Sequence, residues 1–91
     1  MEEFKVSEKA FQTLKKVDLS DIKSNIMISD IDCSFKVQNL RDLLRRLNDE
    51  IVLEGLTEDQ EEANEYGIEL YRLYDEIIYQ RDQKKKNQSQ P

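Results

Sequence analysis

Residues 37–57 read VQNLRDLLRRLNDEIVLEGLT, and this stretch decides the expected architecture. Apolar side chains fall at Val37, Leu40, Leu43, Leu44, Leu47 and Ile51. Spacings of three and four gather them within an arc of about 120° on an α-helix. Arg41, Asp42, Arg45, Arg46 and Asp49 fill the opposite face. The pattern predicts a helix over residues 34–54. Gly55 then offers a left-handed C-cap, and Leu56 the apolar contact of a Schellman turn. Asp49, Glu50 and Glu54 lie at the carboxyl end, where the helix dipole disfavours them.

A second helix is expected at once. Thr57 with Gln60 has the spacing of a capping box, and Glu58, Asp59, Glu61 and Glu62 suit a helix start. The apolar stripe is Ala63, Tyr66, Leu70, Leu73, Tyr74, Ile77 and Ile78, running to Gln80 or Asp82. Gly67 interrupts it at a cost of about 1 kcal/mol against Ala, which suggests close approach of another helix. With only Gly55 to Thr57 between them, the two helices read as an antiparallel hairpin. A turn centred near residue 57 sets Leu47 near Gly67, Leu44 near Leu70, Leu40 near Tyr74 and Val37 near Ile77.

Working outward, Ser7 to Val17 reads as a short helix. Ser7 caps it, Val6 can staple against Phe11, and Ala10, Leu14 and Val17 share its buried face. Residues 18–24 are rich in turn formers, and residues 25–29 are compatible with either an extended or a helical form. Ser29 with Asp32 is an alternative cap for the long helix. Residues 83–91 carry no apolar side chain except Pro91 and read as a frayed tail. The expected fold is all-α: a long antiparallel hairpin over residues 34–82, residues 1–33 as a short helix and connector packed on it, and a flexible tail over 83–91.

The composition narrows function by exclusion. The chain has 91 residues, 14 Lys and Arg against 20 Asp and Glu, no His, one Cys and two Gly. No apolar run exceeds three residues, too short for a bilayer span, and the amino end lacks the plan of a secretory signal. Cys33 has no partner for an internal disulfide, so a reducing, cytoplasmic setting is expected. Without His there is no imidazole base or His–carboxylate metal site, and two glycines cannot build a phosphate-cradling loop. No enzyme activity, cofactor or metal is expected. An acidic chain is also a poor direct nucleic-acid binder.

Charge is unevenly spread. Residues 49–76 hold 1 basic and 11 acidic side chains, whereas residues 77–91 hold 4 basic and 1 acidic. Glu58, Glu62, Glu65, Glu69 and Glu76 share one side of the second helix. They form either a solvated face or a docking surface for a basic groove. Tyr66 and Tyr74 belong to the core stripe. Ile68, Tyr71 and Tyr79 flank or oppose it, and serve either a partner interface or packing of the N-terminal segment. Lys36, Arg41, Arg45 and Arg46 form a basic strip expected mostly to pair with nearby acids. Lys84-Lys85-Lys86 is too short to bind nucleic acid alone.

Residues 40–57 resemble the first helix and Gly-Leu-Thr turn of small sporulation-regulating aspartyl-phosphate phosphatases. That family carries a Ser-Gln-x-Leu-Asp signature on its second helix. Here the corresponding stretch is Gly67-Ile68-Glu69-Leu70-Tyr71, in which only the Leu matches, so the chemistry does not carry over. In size and charge the chain also resembles small acidic inhibitors of phages and mobile elements, including anti-CRISPR proteins. That resemblance implies a partner protein with a basic or nucleic-acid-binding surface, met by Glu58, Glu62, Glu65, Glu69, Ile68, Tyr71 and Tyr79. The alternatives are a structural module acting as a homodimer, or a phosphatase relative without its site.

Overall fold

The computed structural model describes residues 1–56 and 62–88, with the side chains of the last three left out. In chain order it has strand β1 (Glu2–Lys5), helix α1 (Glu8–Lys16), a 3-10 turn (Ser20–Asn25), strands β2 (Ile26–Ser29) and β3 (Ser34–Val37), and helices α2 (Leu40–Glu54) and α3 (Glu65–Gln88). The strands form one antiparallel sheet in the order β1-β3-β2. This overturns the all-α expectation. The molecule is mixed α/β.

The reason lies in residues 34–37, which the helical stripe had absorbed. Phe35 and Val37 are buried while Lys36 is exposed, an alternation of period two. Asn39 ends that run and caps α2, accepting a hydrogen bond from Arg41 N–H at 3.0 Å. On the sheet's inner face Phe4 pairs with Phe35, and Ile26 with Val37. The Phe4 and Phe35 rings stack with centroids 5.5 Å apart. Both outer strands come from residues 1–33 and pair with β3, so that segment is not a separate layer on a hairpin.

The β2–β3 turn takes residues 30–33. Cys33 adopts φ 53°, and its carbonyl accepts from Val6 N–H at 3.1 Å. Asp32 accepts from the Ser34 hydroxyl at 2.6 Å, which holds its carboxyl below the usual range. Asp18 bonds Ser20 N–H at 3.0 Å and is lowered in the same way.

The helices pack on the inner face. Ser7 caps α1 as expected, its hydroxyl accepting from Ala10 N–H, and Ala10, Leu14 and Val17 are buried. Val6 and Phe11 lie in the same core. Leu43, Leu47 and Ile51 of α2 meet Leu70, Leu73 and Ile77 of α3 in it, and Leu40, Leu44, Tyr66 and Tyr74 are partly buried beside them.

The connection between α2 and α3 differs from the expected tight turn. Helix α3 begins at Glu65, capped by Asn64, whose Oδ1 accepts from Gly67 N–H at 2.8 Å. The proposed Thr57–Gln60 capping box and Glu58 lie outside the described residues. Gly55 has φ −100° and is not a left-handed cap. Its use is contact. A Cβ on Gly67 would stand 2.0 Å from the Gly55 carbonyl oxygen. That oxygen also accepts from Asn64 N–H at 2.9 Å. Gly67 therefore meets Gly55 rather than Leu47, because the connector uses residues assigned above to the second helix.

Helix α3 also closes one edge of the sheet. The Val6–Cys33 bond fixes which groups of β1 face β3, so Glu3, Lys5 and Ser7 point their main chain outward. Glu76 accepts from Ser7 N–H at 2.9 Å, Gln80 bonds both the N–H and the C=O of Lys5, and Lys84 bonds the Glu3 carbonyl. Four helical residues rise about 6 Å, and two strand residues advance about 6.8 Å. One i, i+4 row therefore keeps step with every second residue of β1. Lys84 Nζ also lies 4.0 Å from the Phe4 ring centroid. Residues 83–88, read above as tail, are helical, and Lys84 is part of the fold.

Two predictions follow from this packing. Gly67→Ala is expected to lose about 3 kcal/mol in urea unfolding, because backbone rather than a flexible side chain blocks the methyl group. Truncation after Asp82 is expected to lower the thermal midpoint by several degrees, and Lys84→Ala to account for about 1 kcal/mol of it. An unchanged midpoint would contradict the edge-capping role of Lys84.

Candidate functional site

The acidic side chains concentrated in residues 49–76 do not form one free surface. Glu50, only 8% exposed, accepts from Arg46 at 2.8 Å and from the Tyr66 hydroxyl at 2.8 Å. Arg46 also donates to the Asp18 carbonyl at 2.8 Å. Two charges and a phenol thus tie the α1–β2 connector, α2 and α3 together, each buried polar atom having a partner. Glu69 is half-buried and stands 3.7 Å from Lys16 of α1. Glu76 caps β1. Of the residues proposed for partner binding, Glu62 is exposed in the connector before α3, Glu65 is exposed as the first residue of α3, and Glu69 faces Lys16 within the fold.

Ile68, Tyr71 and Tyr79 are all exposed on α3. Helices α1 and α2 pack against other sides of α3, so the N-terminal segment does not cover these residues. Asp75 lies exposed between Tyr71 and Tyr79. Glu65 and Asp75 make no ion pair among the described residues. The face thus carries apolar anchors interleaved with carboxylates, and one exposed cation, Arg72.

The opposite end is basic. A groove of about 800 Å³ runs between the amino end, the start of α2 and the end of α3. Arg41, Arg81, Lys84 and Lys85 line it, with Glu2 as its acid. It continues along α2 past Leu40, Arg41 and Arg45. Of the basic strip named above, Arg46 is paired as expected. Arg41 and Arg45 make no ion pair among the described residues. Cys33 is a half-buried turn residue. Among the described residues no group of three His, Cys, Asp or Glu side chains is placed to hold a metal ion, and no helix is long and apolar enough to cross a membrane.

Three features were missed by the sequence reading. Glu50 reads from the sequence only as a carboxylate disfavoured by the helix dipole, although its i, i+4 spacing to Arg46 signals a pair. Asn64, directly before Glu65, carried the signal of a helix cap. Gln80 and Lys84 carried none, because their partners lie 75 and 81 residues away. No family model, curated protein or solved structure matches the chain.

Burial, then the hydrogen bond to Glu50, push the Tyr66 phenol above its ordinary range. The neutral form is favoured by folding, so its contribution is complete below about pH 10 and is lost as pH rises further. Tyr66→Phe is expected to cost about 1–3 kcal/mol at neutral pH, since Glu50 loses a donor. Urea unfolding at about pH 8 and about pH 11 should show a steeper alkaline loss for the parent than for the variant.

Proposed function

We propose that this chain is a protein-binding module whose contact surface is the outer face of α3. Ile68, Tyr71 and Tyr79 act as anchors, and Glu62, Glu65 and Asp75 form an acidic rim. The observation that carries this reading is the exposure of three large apolar side chains along a helix otherwise packed on two sides. Tyr is enriched among binding anchors because it buries a large rigid ring and keeps a polar tip. The carboxylates around them suit a partner whose apolar groove is rimmed by Lys and Arg.

On this reading the protein acts by occupation. Seated on a basic surface, it displaces whatever anion that surface holds, including nucleic acid. The resemblance to small acidic inhibitors in size and charge supports the same mode. No catalytic step is assigned. Glu69 is left out of the contact set because it faces Lys16.

With a purified basic partner in hand, Tyr71→Ala with Tyr79→Ala is expected to weaken binding at least tenfold without moving the melting midpoint. Reversing Glu62 and Glu65 to Lys is expected to slow association and flatten its salt dependence. Unchanged affinity in the tyrosine pair together with unchanged rates in the charge reversal would overturn the reading.

A further inference from the structure

The two edges of the sheet are unlike. Side chains of α3 cap β1, as described above. Among the described residues β2 has no such cover. Gln38 N–H donates to the Asn25 carbonyl at 2.8 Å, which sets the alternation along the β2–β3 pair. Met27 and Ser29 therefore turn their main chain toward β3, while Ile26 and Ile28 turn theirs outward. No described residue bonds those outward groups. β2 is short, but Ile26-Met27-Ile28-Ser29 carries no Lys, Pro or bulge to blunt its edge. Exposed apolar side chains gather here too: Met27 is 62% exposed, Ile28 40%, and Ile31 at the adjoining turn 98%.

We propose that β2 is the seat of a homodimer in which two copies pair β2 to β2, antiparallel, about a two-fold axis through Met27. The two sheets then become one of six strands, in the order β1-β3-β2-β2-β3-β1. This inference stands apart from the α3 reading. It commits to a second copy because the strand is its own complement. With Met27 opposite Met27, Ile26 of each copy faces Ile28 of the other. These are the residues with outward N–H and C=O groups, so all of them are satisfied. Ile26 and Ile28 also share the inner face, so the register keeps inner side chains opposite inner side chains. At the flanks, antiparallel pairing brings Lys23 of one copy beside Ile31 and Asp32 of the other, while Asp30 keeps its 2.8 Å pair with Lys15 of its own copy.

The contact is small, so association is expected to depend strongly on concentration. Sedimentation of the full chain from about 1 µM to about 1 mM should show a monomer–dimer equilibrium. Met27 lies on the outer, solvent face and is not part of the core. Met27→Lys and Met27→Glu should therefore keep the parent melting midpoint at about 1 µM, where the parent is monomeric. Each alone should weaken the dimer at least tenfold, because like charges meet on the axis. An equimolar mixture of the two should restore it. Amide exchange at Ile26 and Ile28 should slow as concentration rises, while exchange at Lys5 does not change. A monomer throughout the range would overturn the proposal. So would a dimer of parent strength in both variants, or protection that leaves Ile26 and Ile28 unchanged.

Discussion

The architecture rests on the row Glu76, Gln80 and Lys84 laid against the outer edge of β1. A three-stranded sheet of four-residue strands depends on its packed face and on the helices against it. Its first strand, Glu2–Lys5, has a single fully buried residue, Phe4. The row supplies the hydrogen bonds a fourth strand would supply, and it does so from a helix that also packs on α1 and α2. Sheet and helices are therefore held by one element. The similarity between a four-residue helical rise and a two-residue strand advance makes this possible without bending either.

The other end of the helical layer is fixed by contacts of a different kind. Gly55 and Gly67 let the start of α3 touch the end of α2 at backbone distance. Beside them Glu50 is buried with Arg46 and Tyr66. A buried carboxylate with two donors is costly to desolvate and costly to disrupt, so the arrangement specifies one docking of α3 more than it adds net stability. It also withdraws Glu50 from the surface. Along the exposed stripe of α3, Glu65 and Asp75 are the carboxylates without an ion pair among the described residues.

What remains outward divides into distinct surfaces. The α3 face combines large exposed apolar side chains with carboxylates, the surface proposed above for a protein partner. The β2 edge is uncharged, and its outward main-chain groups have no partner among the described residues. The two surfaces lie on different elements, so a partner on α3 and a second copy on β2 do not compete for the same atoms. A dimer built through β2 would present two α3 faces, which raises the effective concentration of either face for a repeated target.

The sequence by itself determined the helices and their buried faces. In α1 the Ser7 cap and the row Ala10, Leu14 and Val17 have local causes: a hydroxyl before the first turn and an apolar period near 3.6. The inner positions of α2 and α3 follow from the same period over 15 and 24 residues, long enough to be unambiguous. The exposure of Ile68, Tyr71 and Tyr79 was legible as departure from that period. The strands were not legible, because four residues with one or two inward side chains fit either period. Their pairing joins residues 2–5 to 34–37, and only folding makes that contact. The same holds for Glu76, Gln80 and Lys84, which read as solvated until β1 exists beside them. Burial of Glu50 and the open edge of β2 were also tertiary decisions. A polar group's role depends on which main-chain or side-chain partners the whole chain brings within hydrogen-bond distance.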